Sequence, residues 1–109
     1  MSETQAIDQK SVSEVFEIFQ NPQESQVLVD IRQPEEWNQG TIPGVQKTVL
    51  DVFLKGLDDL DKSKHYIMIC RSGARSNRAC GIMQADGFEK VSNFSGGMLA
   101  WKAEDHPTE

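Results

Sequence analysis

A cysteine lies where a predicted strand passes into a predicted helix, and this strand–turn–helix unit constrains the fold most. The run His65-Tyr66-Ile67-Met68-Ile69 is short and mostly apolar, which is typical of a buried strand. The turn Cys70-Arg71-Ser72-Gly73-Ala74-Arg75 follows directly, and Ser76 to Asp86 carries a helical pattern. Units of this kind build α/β proteins with parallel sheets.

Further strands and helices alternate on both sides of this unit. Ser11 and Glu14 form a capping-box pattern that predicts the start of a helix. Strands are predicted at Gln26–Ile31, Val45–Leu50 and Lys90–Phe94, and helices after Pro34, Asp51 and Ser95. This alternation predicts an α/β fold with a parallel sheet covered on both faces. A chain of 109 residues forms one domain, residues 1–109, with flexible ends expected at 1–4 and 104–109.

The turn after the central strand predicts an anion site around a reactive thiol. Successive backbone N–H groups in such a turn can point inward, and the free N–H groups at a helix start add to the positive field. A thiol placed there ionises easily, and the thiolate is the reactive form. Three of the four arginines, Arg71, Arg75 and Arg78, lie in or just after the turn. The alternative is a structural cysteine beside a solvated basic turn.

Composition excludes several classes of partner. The net charge is −6 and the isoelectric point is near 4.8, which argues against nucleic acid or an anionic membrane surface. No apolar run approaches the ~20 residues of a membrane helix, and the polar start, residues 1–5, lacks the features of a signal peptide. We therefore expect a cytoplasmic protein. Two cysteines ten positions apart predict neither a disulfide framework nor a zinc site, so no metal or cofactor is expected.

The segment Cys70–Arg75 resembles the active-site loop of the rhodanese (thiosulfate sulfurtransferase) family. Further similarity lies at Asp30-Ile31-Arg32, at Pro34–Trp37, at Gly40–Gly44, and at Gly96-Gly97 with the following Ala100-Trp101. Thr41 stands where the family usually has histidine, which makes any proton relay at that position doubtful. The resemblance covers essentially the whole domain. It implies a three-layer rhodanese-like domain whose central, mostly parallel sheet has about five strands and helices on both faces.

The resemblance also implies an activity. Cys70 would attack the outer sulfur of thiosulfate or a similar donor, hold the sulfur as a persulfide, and pass it to a thiol or cyanide. The residues implied in substrate binding are those of the loop and the first helical turn: Arg71, Ser72, Gly73, Ala74, Arg75 and Ser76. Arg71 and Arg75 would hold sulfonate oxygens, and Ser76 would donate a hydrogen bond to the thiolate. The expected partners are a small anionic sulfur donor and a small-molecule or protein thiol acceptor, and we expect a monomer.

Two other functions remain open from the sequence. One is a persulfide carrier or binding module in a sulfur relay. The other is a cysteine phosphatase or arsenate reductase, whose loops usually place five residues between cysteine and arginine, where this chain has four between Cys70 and Arg75. Outside the loop, Arg32 is interpreted as forming a structural ion pair with a nearby acid such as Glu36. Cys80 is interpreted as a small buried side chain of the core.

Overall fold

The computed structural model describes residues 6–109, so the predicted flexible end at residues 1–4 lies outside the described part of the chain. Its helices and strands follow one another along the chain in an almost regular alternation. In chain order they are β1 (Asp8–Lys10), α1 (Val12–Gln20), β2 (Gln26–Asp30), α2 (Pro34–Trp37), β3 (Gln46–Lys47), α3 (Leu50–Lys55), a 3₁₀ turn (Leu57–Asp59), β4 (His65–Ile69), α4 (Ala74–Ala85), β5 (Lys90–Phe94) and α5 (Gly97–Ala103).

The five strands form one sheet in the order β1-β5-β4-β2-β3, and every neighbouring pair is parallel. The strand β4 lies at the centre, between β5 and β2. Its last residue, Ile69, immediately precedes Cys70, so the cysteine lies at the carboxyl edge of the sheet. In open parallel sheets this edge is where ligands bind. The predicted α/β fold with a parallel sheet of about five strands is confirmed.

Helices cover both faces of the sheet. On one face α3 and α4 enclose a core that includes Phe53, Ala79 and Met83. On the other face α1 and α5 enclose a second core around Val15 and Trp101. The parallel strands between the two layers are buried on both sides, which explains why β4 is apolar along nearly its whole length.

Some boundaries differ from the sequence prediction. The capping box is confirmed, since the Ser11 side chain accepts from the Glu14 N–H and Glu14 accepts from the Ser11 N–H. The helix after the loop begins at Ala74, two residues before the predicted Ser76. The predicted strand Val45–Leu50 is reduced to two residues, β3. The edge strand β1 was not predicted, because its three residues are all polar and no apolar pattern marks them.

The C-terminal residues contact the α1–α5 layer and the loop before β3. The Trp101 indole N–H donates to the Pro107 carbonyl at 2.7 Å, and His106 stacks on Phe16 with ring centroids 3.9 Å apart. Thr41 and Glu109 exchange backbone hydrogen bonds of 3.1 and 2.9 Å. Among the described residues, no helix has the length and apolar character needed to cross a membrane.

Candidate active site

The sulfur of Cys70 lies inside the loop that links β4 to α4. The Gly73 N–H donates to Sγ at 3.1 Å, and the Ser76 N–H points at the same atom from 3.5 Å. The Ser76 hydroxyl oxygen lies 3.3 Å from Sγ. Cys70 is 1% exposed. The predicted arrangement, a thiol surrounded by the N–H groups of a tight turn and a helix start, is present.

The N–H groups face the sulfur because the loop carbonyls are bound from outside. The Cys70 carbonyl accepts from the Met98 N–H at 2.9 Å, and the Arg71 carbonyl accepts from the Leu99 N–H at 3.0 Å. The Gly73 carbonyl accepts from the Asn77 N–H inside α4 and also from the Asn93 side-chain amide, both at 3.1 Å. Helix α5 and strand β5 therefore fix the peptide planes that surround Sγ.

Two glycines allow this close approach. Gly73 has a φ of +94°, and a Cβ there would overlap the Ser95 carbonyl. Gly97 has a φ of +58°, and a Cβ there would overlap the Arg71 carbonyl and lie 2.7 Å from the Cys70 carbonyl oxygen. Positive φ favours glycine, because a side chain would be strained there whatever the space around it. The Gly96-Gly97 pair of the sequence thus serves backbone packing against the loop.

Hydrogen bonds have a larger combined effect than burial on the pKa of the Cys70 thiol. Burial alone would raise the pKa of Cys70, because it disfavours the charged form. The Ser76 side chain and the backbone N–H groups of Ser76, Ser72 and Gly73 act in the opposite direction, and together they hold the pKa of Cys70 below its ordinary value. The lowered pKa favours the thiolate, which is the nucleophilic form.

Cys80 shows the contrasting environment. It is fully buried on the inner face of α4. Burial, followed by the negative charges of Asp8 and the Cys70 thiolate, raises the pKa of Cys80 to about 12. At neutral pH this thiol is protonated and unreactive, which agrees with its interpretation as part of the core.

The ion pairs near the loop differ from the pair that was interpreted from the sequence. Glu36 binds Arg75 through both carboxylate oxygens, at 2.8 and 2.9 Å, and this hydrogen bonding lowers the pKa of Glu36 to about 2. Arg32 instead pairs with Asp30 at 2.8 Å and donates to the Gly40 carbonyl. Arg32 is therefore structural, as interpreted, but the proposed partner Glu36 was wrong: the short turn after β2 brings Asp30 back onto Arg32, while α2 directs Glu36 at the loop.

Three other loop side chains lie at the protein surface. Arg71, Ser72 and Ala74 are exposed, and within residues 6–109 the Arg71 side chain makes no ion pair or hydrogen bond. A cleft of about 320 Å³ lies beside the loop, between α2 and α5. Its lining includes Arg32, Glu36, Gln39, Arg71, Leu99 and Lys102. Arg78 is exposed on α4, outside that lining.

Two residues at the site have no sequence signal of their own. Asn93, on β5, accepts from the Ser76 hydroxyl at 2.5 Å, and Gln9, on β1, accepts from the Asn93 amide at 2.9 Å. Asn93 is 3% exposed. A polar residue in a predicted strand of a sheet covered on both faces was the available indication for Asn93, and Gln9 lies on the strand that the sequence did not reveal. Within residues 6–109, no group of three or more His, Cys, Asp or Glu side chains is placed to hold a metal ion.

Comparisons with known proteins show the family to which this chain belongs. The model of the rhodanese-like domain matches residues 12–104. A Bacillus subtilis protein named "Putative sulfurtransferase YtwF" is 40% identical over 80 residues, covering 73% of this chain and 77% of that protein. A sulfurtransferase of Allochromatium vinosum is 36% identical over 84 residues, covering 77% and 78%. The crystal structure of a rhodanese-like domain protein from Staphylococcus aureus superposes with a TM-score of 0.77 at 26% identity, covering 87% and 91%. On these grounds the chain belongs to the rhodanese-like family of sulfurtransferases.

Proposed function

We propose that this protein transfers a sulfane sulfur from thiosulfate or a similar anionic donor, through a persulfide on Cys70, to a thiol or to cyanide. The observation that carries the proposal is the position of Cys70 Sγ, which is surrounded by N–H donors from Gly73 and Ser76 and has a lowered pKa. This environment favours a negative charge first on the thiolate and then on the bound persulfide.

In the first half-reaction the Cys70 thiolate attacks the outer sulfur of thiosulfate. A sulfur–sulfur bond forms to Sγ, the bond between the two donor sulfurs breaks, and sulfite leaves with the bonding electron pair. The outer sulfur of the new persulfide carries the negative charge. The loop N–H groups that stabilise the thiolate would stabilise this charge as well. The persulfide is a covalent intermediate, and it divides one difficult transfer into two easier steps.

The arginines are proposed to hold the donor's sulfonate. Arg71 lines the cleft beside the loop and has its guanidinium available. Arg75 is engaged by Glu36 through one N–H of each terminal nitrogen, and its remaining N–H donors stay available for a sulfonate oxygen. Guanidinium groups match oxyanions in geometry as well as charge.

In the second half-reaction a nucleophile attacks the outer persulfide sulfur. The sulfur–sulfur bond to Cys70 breaks, and Sγ leaves as the thiolate that the loop stabilises. A thiol acceptor becomes a persulfide, and cyanide becomes thiocyanate. Neither half-reaction needs a metal or an organic cofactor. A reducing compartment such as the cytoplasm suits a protein with two free thiols, one of them reactive, and we propose that location.

The experiment is mass spectrometry of the intact protein after incubation with thiosulfate. We expect a mass increase of one sulfur atom, mapped to the peptide that contains Cys70 and removed by cyanide or a dithiol. A protein that loads sulfur but turns over poorly with every small acceptor would instead be a persulfide carrier. An unchanged mass together with hydrolysis of aryl phosphates or reduction of arsenate would overturn the sulfurtransferase proposal.

A further inference from the structure

The Ser76 hydroxyl has two acceptors within reach. Its oxygen lies 3.3 Å from Cys70 Sγ and 2.5 Å from Asn93 Oδ1. A serine hydroxyl carries one hydrogen, so it donates to only one of these atoms at a time. All three side chains are buried, which prevents water from replacing either partner readily. The chemical state of the sulfur therefore decides which bond is made.

The orientation of the Asn93 amide follows from its other contacts. Asn93 Nδ2 lies 3.1 Å from the Gly73 carbonyl, which can only accept, so the nitrogen must face Gly73 and Oδ1 must face Ser76. Nδ2 also donates to Gln9 Oε1 at 2.9 Å. Gln9 is oriented in turn, because its Nε2 donates to the Ile7 carbonyl. Asn93 Oδ1 can only accept, so the Ser76 hydrogen is the one that joins them.

We propose that the Ser76 hydroxyl alternates between two positions, and that Asn93 is the positioning residue that holds it whenever the Cys70 sulfur is uncharged. With a thiol, the short bond to Asn93 is the better one, and Ser76 Oγ can accept the S–H. With a thiolate, a hydrogen bond to a charged acceptor is stronger than one to a neutral amide. The hydroxyl then turns about its Cβ–Oγ bond to Sγ. No covalent bond breaks in Ser76, and the thiol proton leaves to solvent.

The same alternation extends to the loaded protein, and this step rests on the proposed function. In a persulfide the negative charge lies on the outer sulfur, and Sγ is an uncharged sulfur bonded to two neighbours. The hydroxyl accordingly returns to Asn93. Asn93 thus stabilises the persulfide relative to the free thiolate, whereas Ser76 stabilises the thiolate when sulfur has been handed on.

The hydrogen-bonded side chains of Ser76, Asn93 and Gln9 are uncharged. Their effect on the ionisation of Cys70 can therefore be separated from the effect of nearby charges. The substitutions below leave in place the charged and titratable side chains on the elements around the thiol, which include Asp8 and Lys10 (β1), Asp30 (β2), Arg32 (just after β2), Glu35 and Glu36 (α2), His65 (β4), Arg71, Arg75, Arg78 and Cys80 (loop and α4), Lys90 (β5) and Lys102 (α5). The Gly73 carbonyl also keeps its bond from the Asn77 N–H when Asn93 is replaced. The loop backbone is therefore retained.

The test is the pH dependence of Cys70 alkylation by iodoacetamide, which needs no sulfur transfer. Of the two acceptors that the described residues offer to the Ser76 hydroxyl, Asn93→Leu leaves Sγ, so the midpoint pH of alkylation should fall by roughly half to one unit. Ser76→Ala removes the donor, so the midpoint should rise. Because Asn93 acts through Ser76, the double variant should match Ser76→Ala alone. Ser92→Ala is the control, since Ser92 is a buried hydrogen-bonding neighbour that faces the opposite side of β5.

A midpoint that rises in Asn93→Leu, or an Asn93 effect that persists without Ser76, would overturn the inference. A second measurement uses the native protein and covers the case in which Asn93→Leu does not fold. The ¹³C resonance of the Asn93 side-chain carbonyl should change with pH at the Cys70 midpoint, and this change should disappear in Ser76→Ala. A resonance that does not change as Cys70 titrates would contradict the alternation of the Ser76 hydroxyl. That result would not contradict the proposal that Cys70 forms a persulfide.

Discussion

Glu36 binds Arg75 through two parallel hydrogen bonds, Nη1 to Oε1 at 2.8 Å and Nη2 to Oε2 at 2.9 Å. The pair joins α2 to the first turn of α4 and therefore fixes one side of the loop mouth. Both side chains remain partly exposed, at 39% for Arg75 and 22% for Glu36, so solvent screens their attraction. The pair orients Arg75 more than it stabilises the fold.

The first prediction concerns the pH dependence of the stability that the pair of Glu36 and Arg75 contributes. The pKa of Glu36 is lowered to about 2 from 4.5, so its stabilisation is complete above pH 4.5 and is lost as the pH falls through about 2. Glu36→Gln should cost about 0.5–1 kcal/mol at neutral pH. The difference in unfolding free energy from the native protein should stay constant from pH 7 to 5 and shrink below that. Urea unfolding at several pH values measures it, and a difference that grows towards low pH would contradict the assignment.

The second prediction separates the arginines. Arg71→Gln should lower kcat/KM for thiosulfate by about 10- to 100-fold, because a hydrogen bond to a charged group is worth roughly 1.5–3 kcal/mol. An uncharged persulfide donor should be affected much less. Arg75→Gln should also lower kcat/KM more for thiosulfate than for the uncharged donor. Its effect should be smaller, since Glu36 already binds two of the N–H groups of Arg75. Arg78→Gln is the matched control, and equal losses with both donors would show that Arg71 shapes the loop instead of binding the donor.

The third prediction concerns the two cysteines. Cys70→Ser should abolish sulfur loading while the domain stays folded, because a hydroxyl is a far poorer nucleophile at neutral pH. Cys80→Ser should retain loading, although a hydroxyl in a fully buried site costs some stability. Intact-mass measurement after thiosulfate treatment reports loading, and thermal unfolding reports stability. Sulfur found on Cys80 would contradict the assignment of Cys70 as the residue that carries the sulfur.

The fourth prediction concerns backbone packing at the loop. Gly97→Ala should destabilise the protein by more than about 2 kcal/mol, because a left-handed conformation and an overlap with the Arg71 carbonyl act together. Gly81→Ala is the control: it lies inside α4 with open space around its Cβ position, and it should add roughly 0.5–1 kcal/mol. Chemical denaturation compares the two variants. A tolerated alanine at position 97 would mean that the loop does not need this close approach.

The fifth prediction concerns the size of the loop. Four residues separate Cys70 from Arg75, and the N–H groups converge on a single sulfur. A tetrahedral oxyanion needs more room, and a misplacement of about 1 Å can cost on the order of a hundredfold in rate. The native protein should therefore hydrolyse aryl phosphates negligibly. Inserting one glycine between Ala74 and Arg75 should depress sulfur transfer, whereas unchanged transfer would show that loop size is not decisive.

Much of the fold followed from short-range patterns. The apolar run of β4 and the capping box of α1 record burial and helix initiation directly in the sequence, and both were correctly predicted. The strand β1 was missed because its three polar residues form a strand only by pairing with β5. The start of α4 was misplaced because the positive φ of Gly73 ends the turn earlier than the apolar pattern suggests.

The site was predictable where it is local and unpredictable where it is not. Cys70, Gly73 and Ser76 lie within seven consecutive residues, so one turn brings them together. The pairing of Glu36 with Arg75 spans 39 positions and depends on how α2 lies against the loop. The contact between Gln9 and Asn93 spans 84 positions and depends on the register of β1 against β5. Tertiary packing alone determines such contacts.

The loop carbonyls that Met98, Leu99 and Asn93 hold outward have a consequence for how this protein can diversify. The N–H groups around Sγ are positioned by main-chain atoms and by residues behind the loop, whereas the side chains of Arg71, Ser72 and Ala74 are exposed. Mutations of those three side chains can change the exposed surface of the loop while the N–H groups that lower the pKa of Cys70 stay in place. Reactivity and selectivity are therefore free to evolve separately on this scaffold.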